Sequence, residues 1–354
     1  MQNFNLDSFR QRPLPNEAEI TAHWPRDDVP GVSIVCLTYN HRNYIEDALR
    51  GFLLQRTDFP FEIVIHDDAS TDGTRQIIEQ YAHAYPRLIR PILQDTNRHS
   101  QGKKIEPLVA SHCRANILAF CEGDDFWIDD NKLKLQKDVL DTNRNIALVV
   151  HPCLTTDGSS RYPLAYCKGQ RVDRFDAQDV LNVAAQFAPT SSYALRRTTY
   201  DQMPAWYDLT PVGDFFLEMY SLKKGIGIYI PNVMSVYRTV SVGSWMDRRR
   251  RSRGDELINF GTRMLTCLEL IEKEEPFNRL SFKVKKSAVH LELATGYLLK
   301  CDAARFRYHI AQSYALHPDS CRIQSVFMTL RSAPSLALYL FKAKRQLNTL
   351  LHHA

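Results

Sequence analysis

The sequence lacks several things that would each settle a class. No apolar run approaches the roughly 18 residues a spanning helix needs, so no transmembrane segment is expected. The eight cysteines (Cys36, Cys113, Cys121, Cys153, Cys167, Cys267, Cys301 and Cys321) contain no CxxC pair, which argues against a zinc site. Several of them sit inside apolar runs, where a reduced thiol behaves as a small hydrophobe. The opening Met1-Gln2-Asn3-Phe4-Asn5-Leu6-Asp7 has no basic-then-apolar leader pattern, so a cytoplasmic location is expected. There is no internal repeat, and the only biased stretch is Arg248-Arg249-Arg250-Arg251.

What is present is an ordinary soluble composition with uneven charge. Of 354 residues 44% are apolar and 24% charged, enough for one large domain or two smaller ones. The net charge is +5, yet Asp247–Ala354 carries 19 Lys and Arg against 10 Asp and Glu. A neutral-to-acidic body with a basic tail leaves two readings of the tail: a surface facing something anionic, or a solvated helix face.

Strand and helix patterns alternate through the first half. Residues 1–30 are polar and punctuated by proline, and read as an extended lead-in. Val32–Leu37 and Phe61–His66 read as strands, each followed by a helical pattern, over Tyr44–Gln55 and Thr74–Ala84. Leu88–Gln94 suggests a third strand, Pro107–Ala115 a helix and Ile117–Cys121 another strand. Strands also fit Ile146–Val150, Ser191–Leu195 and Ile226–Ile230, and Val212–Lys224 reads as helix. Residues 151–185 read as irregular around one helix near Ala177–Ala184, and from Asp255 the pattern is helical. This alternation predicts an α/β fold, Rossmann-like, with a mostly parallel sheet flanked by helices and a helical C-terminal extension. The expected divisions are an N-terminal lead-in (1–30), a sheet domain (31–245) and a basic helical extension (246–354). In such sheets ligands lie beyond the carboxyl ends of the strands. The polar clusters Thr38-Tyr39-Asn40, Asp67–Thr74 and Glu122–Asp125 all sit there.

Glu122-Gly123-Asp124-Asp125 follows directly on an apolar strand. Three carboxylates in four residues repel, and each loses solvation when partly buried. Read alone, the tetrapeptide is either a solvated acidic turn or a site for a hard divalent cation such as Mg²⁺ or Mn²⁺ that also grips phosphate. Asp124 is the first choice for direct ligation and Asp125 the second. His66, His99, His112 and His151 show no metal-ligand spacing and read as structural, although Arg98-His99 sits in a loop that suits a sugar.

The ordered motifs resemble the family 2 glycosyltransferases of the GT-A fold. Val32-Ser33-Ile34-Val35 with Thr38-Tyr39-Asn40 opens the resemblance, and Asp67–Thr74 is close to the family's DDGSTDGT signature. Glu122–Trp127 is similar to its DxD motif in the EGDDYW form common among bacterial members. Gly213-Asp214 stands where the family has an ED pair, and Tyr237-Arg238 matches a later YR element. The resemblance covers residues 30–245 and departs from the family twice. Glycine replaces the Glu of the ED pair, and Val240 stands where many members have His.

It implies an inverting transfer from a nucleotide sugar, with UDP favoured, to an acceptor hydroxyl. Thr38, Tyr39 and Asn40 would line base and ribose, and Asp67 and Asp68 would accept from uracil or ribose. Glu122, Asp124 and Asp125 would hold metal and diphosphate, Asp214 would be the general base, and Arg238 would contact donor phosphate. The Arg248–Arg251 run, with Arg253, suits phosphate as well, and Gly243 and Gly254 around Ser244-Trp245-Met246 suggest a lid.

The EGDDFW form and the basic tail suggest a bacterial surface glycan or lipid-linked precursor as acceptor, and no nucleic-acid partner. Leu336, Leu340 and Leu347 beside Lys344 and Arg345 form an amphipathic pattern. That pattern fits either a packed terminal helix or a peripheral contact with the inner face of the cytoplasmic membrane. Two alternatives stand. A sugar nucleotidyltransferase needs a Gly-rich, Lys/Arg-bearing loop after the first strand, and Thr38–Arg42 has no glycine. A non-catalytic glycan-binding or scaffold protein would not need Asp124, Asp125 and Asp214 intact.

Overall fold

The computed structural model describes residues 4–25, 29–241 and 252–352, with side chains of the last helix described through residue 343. The expected lid at Ser244–Met246 and the Arg248–Arg251 run lie outside these residues. Along the chain run α1 (Leu6–Gln11), α2 (Glu17–Thr21), β1 (Val32–Thr38), α3 (Ile45–Leu53), β2 (Phe61–Asp67), α4 (Thr74–Ala84), β3 (Ile89–Leu93), α5 (Glu106–His112) and β4 (Ile117–Phe120). Next come β5 (Phe126–Trp127), α6 (Lys132–Thr142), β6 (Ile146–Val150), β7 (Cys153–Thr156), β8 (Leu164–Ala165), β9 (Asp173–Phe175), α7 (Ala177–Leu181) and β10 (Ala194–Arg196). The remainder is α8 (Asp214–Ser221), β11 (Ile226–Tyr229), β12 (Ser235–Arg238), α9 (Gly254–Ile271), α10 (Lys283–Leu299), α11 (Ala303–Leu316), α12 (Arg322–Thr329) and α13 (Pro334–His352).

The chain forms two compact units: residues 1–176, 186–208 and 212–247 make a sheet unit, and residues 177–185, 209–211 and 248–354 a helical one. In the sheet unit eight strands lie in the order β3-β2-β1-β4-β10-β6-β11-β9. The pairs β3–β2, β2–β1 and β1–β4 are parallel, as is β6–β11, while β10 runs antiparallel between β4 and β6. Every residue of β2 is buried, as expected of a strand covered on both faces. Helix α3 forms because Ile45, Ala48, Leu49, Phe52 and Leu53 fall on one face, and all five are fully buried against the sheet core.

Two expectations change. The lead-in is helical at α1 and α2, because Asn5 accepts from Ser8 N and Asn16 forms a capping box with Glu19, while Phe9 is buried. Residues 151–185 are not irregular throughout: β7 and β8 join β5 and β12 in a second sheet of order β5-β12-β7-β8, and β9 edges the large sheet. Strands of two to four residues show too little periodicity to be read, since their pairing is set by distant chain.

In the helical unit Ala294, Leu298, Phe306, Ile310, Phe327 and Ala337 form the core. Beneath them lies a closed polar knot. Ser287 Oγ donates to Ser313 O, Ser313 Oγ donates to Ser287 O, and Gln324 Nε2 donates to Ser313 Oγ, each at 2.8 Å. Ser320 N donates to Gln324 Oε1 at 2.9 Å, so both ends of the amide are used. No helix among the described residues is long and apolar enough to cross a membrane.

Candidate active site

The carboxyl ends of β1, β2 and β4 come together because parallel register sets Thr38 opposite Asp67, and Gly123 N donates to Leu37 O at 2.8 Å. The acidic loop therefore crosses directly over the end of β1. A Cβ on Gly123 would lie 2.8 Å from Thr38 Oγ1 and 3.0 Å from His41 Nδ1, so the crossing needs glycine.

Asp124 sits at the opening. Its Oδ2 accepts from Ser241 Oγ and lies 3.9 Å from His41 Nε2, and its side chain keeps 12% exposure. Glu122 is half-buried; burial of its carboxyl, followed by Asp124, Asp214 and Glu106, pushes its pKa up to about 8. The charges of four carboxylates, from the acidic loop, α5 and α8, thus converge.

Asp125 faces the other way. It is 1% exposed, and its Oδ1 accepts from Arg238 N at 2.8 Å. Burial and the neighbouring Asp124 and Glu122 push its pKa well up. Its Oδ1 thus holds β12 against the loop, while its Oδ2 has no hydrogen-bond partner among the described residues.

Arg238 is the last residue of β12. Its Nη2 donates to Asp47, its Nη1 donates to Asp124 O at 2.7 Å, and its guanidinium lies 4.5 Å from the Phe126 ring centroid and 5.1 Å from that of Tyr44. At 8% exposure it clamps the acidic loop to α3. Arg10 of α1 completes the charge balance, bonding Asp47 at 2.8 Å through both Nε and Nη2.

Asp67 and Asp68 are buried and occupied by loop closure. Asp67 accepts from Ser70 N and Oγ, and Asp68 accepts from Arg98 N at 2.8 Å and His99 N at 3.0 Å. The Arg98-His99 loop is therefore tied to β2 by its backbone. A carboxylate oxygen has two lone pairs, so each oxygen of these acids keeps capacity for one more donor. Tyr39 is 45% exposed, whereas Thr38 is buried with no hydrogen-bond partner for its Oγ1 among the described residues. Asn40 holds φ +56°, its N donates to Ser70 Oγ, and its Oδ1 accepts from Thr71 N. It stitches the β1 and β2 loops together. Trp127 is fully buried with Nε1 donating to Ser191 O, a packing residue.

Asp214 is the first residue of α8, and its Oδ1 accepts from Phe215 N at 2.7 Å. The helix dipole favours its anionic form. His41, Asp47 and Glu106 were not singled out from sequence. The signal for His41 was its place directly after Thr38-Tyr39-Asn40; Asp47 and Glu106 sit in unremarkable helical sequence.

Among the described residues no group of three or more His, Cys, Asp or Glu side chains is arranged to hold a metal ion. The hard oxygens of Asp124 and Glu122 still fit a Mg²⁺- or Mn²⁺-type ion whose remaining ligands are phosphate and water.

Residues 33–203 match the family model described as Glycosyl transferase family 2. An uncharacterised protein of Mycobacterium tuberculosis is 39% identical over 231 residues, which is 62% of this chain and 63% of that protein. The match therefore spans less than two thirds of that relative. Poly(ribitol-phosphate) β-N-acetylglucosaminyltransferase TarS of Staphylococcus aureus is 30% identical over 121 residues, 33% of this chain and 20% of TarS. The structure of TarS residues 1–349 with UDP-GlcNAc superposes with TM-score 0.59 at 16% identity, covering 89% of this chain and 91% of that one. A mannosyltransferase of Pyrobaculum calidifontis with GDP-Man and Mn²⁺ gives TM-score 0.54 at 16% identity, covering 94% and 91%. The family match and the ordered motifs make this chain similar to glycosyl transferase family 2 over residues 33–203, and the chain carries the GT-A fold.

Proposed function

We propose that the chain is an inverting glycosyltransferase that moves a sugar from a nucleotide donor, UDP-linked by preference, to an acceptor hydroxyl. The observation that carries this reading is the convergence of Glu122, Asp124 and Asp214 at the carboxyl ends of the strands. Thr38, Tyr39, Asn40, Asp67 and Asp68 form the wall for base and ribose. Asp124 and Glu122 would hold a divalent cation, which supplies charge neutralisation for the leaving diphosphate. Asp214, kept anionic at the start of α8, takes the proton of the attacking hydroxyl, and a single in-line attack inverts the anomeric centre.

Support for a nucleotide-sugar donor comes from the neighbours' ligands, UDP-GlcNAc and GDP-Man. The name of TarS, a poly(ribitol-phosphate) transferase, favours an acceptor in a bacterial surface glycan. A lipid-linked precursor would also suit the basic tail. In α13, Ala337, Leu338 and Phe341 pack inward while Leu336, Tyr339 and Leu340 are exposed, which leaves an apolar face for a membrane surface. The calls on Lys344, Arg345 and Leu347 fall outside the described side chains.

The test is a panel of UDP-, GDP- and dTDP-sugars incubated with the protein and Mn²⁺ or Mg²⁺, read by nucleotide release with and without chelator. Release from one or a few donors, lost in chelator, is expected. No release from any donor overturns the reading in favour of a non-catalytic glycan-binding protein.

A further inference from the structure

Gly213 precedes Asp214 where a second carboxylate would stand in an acidic pair. Its backbone is right-handed helical, φ −90° and ψ −44°, so any side chain is conformationally allowed there. What a side chain there would meet is the end of another side chain, which would have to move aside. A Cβ built on Gly213 would lie 2.4 Å from Oε1 of Glu106 and 3.3 Å from the Tyr207 hydroxyl. The volume that a side chain at 213 would fill is taken by a carboxylate from another element, the first residue of α5. Glu106 is only partly buried, so this carboxylate is not sealed in the core. It is among the charges that raise the Glu122 carboxyl, and its charge also reaches the half-buried Tyr200 and the buried Tyr207.

From this placement we infer that Glu106 is the acceptor-binding partner of Asp214, accepting a hydrogen bond from a hydroxyl of the acceptor sugar or polyol beside the one that attacks. The inference rests on the transferase reading and adds the residue that orients the nucleophile. The chemistry selects this ligand. A carboxylate beside Asp214 repels the donor's diphosphate but accepts from a neutral hydroxyl, which needs an acceptor of just this kind. Holding the hydroxyl at a fixed place converts a loose encounter into an oriented one. The carboxylate is supplied to the α8 start from another element, in the place that glycine at 213 leaves open.

The experiment uses the full chain and glycerol, at molar concentration, as the hydroxyl probe competing with water for the donor sugar. The readout is the ratio of glyceryl glycoside to free sugar. Glu106→Gln keeps the volume and removes the charge; it should lower this ratio about 10- to 100-fold, the scale of a lost charge-assisted hydrogen bond, with UDP affinity by calorimetry unchanged. Gly213→Glu alone should also lower it, because the new side chain collides with Glu106. Glu106→Ala combined with Gly213→Glu moves the carboxylate across the gap and should recover most of what Glu106→Ala loses. Melting temperatures of all four proteins separate misfolding from lost function.

Three results would overturn the inference alone: a wild-type protein that consumes donor but never diverts it to glycerol, a Glu106→Gln ratio equal to wild type, or a double variant no better than Glu106→Ala. Absence of donor consumption by the wild type overturns the transferase reading, and this inference with it.

Discussion

The two units bury polar groups in opposite ways. In the helical unit Ser287, Ser313 and Gln324 are sealed in and bond one another, the His317 carbonyl taking a further Gln324 N–H at 3.0 Å. In the sheet unit the groups at the strand ends are left short. Thr38 Oγ1, His41 Nδ1 and Asp125 Oδ2 are buried without a hydrogen-bond partner among the described residues, and Glu122 is crowded by like charges. Satisfied polar groups lock a fold, whereas unsatisfied ones store a demand that a ligand can meet. The contrast is between these two clusters, since His317 Nδ1 in the helical unit is also buried without a partner among the described residues.

The strongest way to break that comparison is to remove the demand. Asp124→Ala should abolish transfer and weaken UDP binding by at least about 10-fold in the presence of Mn²⁺, since the diphosphate loses the cation held there. Full activity in excess chelator would contradict it. Asp214→Asn should divide the site further: kcat falls by roughly 10²–10⁴ while donor affinity stays nearly constant. A parallel collapse of donor binding would make Asp214 structural.

The helical unit should respond to the opposite test. Gln324→Leu removes both ends of the knot's amide and leaves Ser313 and Ser320 short of partners. A loss of about 2–3 kcal/mol of unfolding free energy is expected, with UDP affinity unchanged. An equal loss of UDP affinity would mean that the knot serves the site.

Lys132 sharpens the comparison within the sheet unit. It is fully buried, its Nζ donates to Gln136 and lies 4.1 Å from the Trp127 ring centroid, and burial lowers its pKa to about 7. Between about 7 and the ordinary 10.5 the unfolded chain binds a proton that the folded chain does not. Stability should therefore rise with pH across that window, by at most about 1.4 kcal/mol per unit, and show no slope from this group below it. Lys132→Met should flatten the rise, and denaturant titrations at pH 7, 8 and 9 would reveal it.

The smallest effect concerns the tail. If α13 meets a membrane, replacing Lys342, Lys344 and Arg345 by Glu should abolish sedimentation with anionic vesicles, each charge contributing about 1 kcal/mol at low salt. Indifference of the wild type to lipid would leave α13 a helix packed on its own unit.

Much of the large sheet was legible because β1, β2, β4 and β6 are continuous apolar runs, and α4 and β6 have the limits their patterns suggest. The small sheet was not, since β5 and β8 are two residues each and exist only through pairing. At the site, the apolar strand leading into Glu122–Asp125 drew attention to Asp124 and Asp125, while Asp214 came from the resemblance to the family's ED pair. That Asp125 accepts from Arg238 N and that Arg238 donates to Asp47, 191 residues away in sequence, could not be read, because neither partner is local. Glu106 carries no local signal, since its meaning depends on the vacancy at Gly213.

The Asp47 carboxylate, gripped by Arg10 on one side and Arg238 on the other, has a further consequence. It works as a keystone between the earliest helix and the last strand of the sheet unit. Trimming residues 4–12, far from any reacting atom, would take away half of its counter-charge. Arg238 would then hold Asp47 alone while also bracing the acidic loop. A short N-terminal segment that looks dispensable thus sets how firmly the loop is seated, and shortened or N-terminally tagged versions of the protein are the ones in which a loosened loop should first be felt.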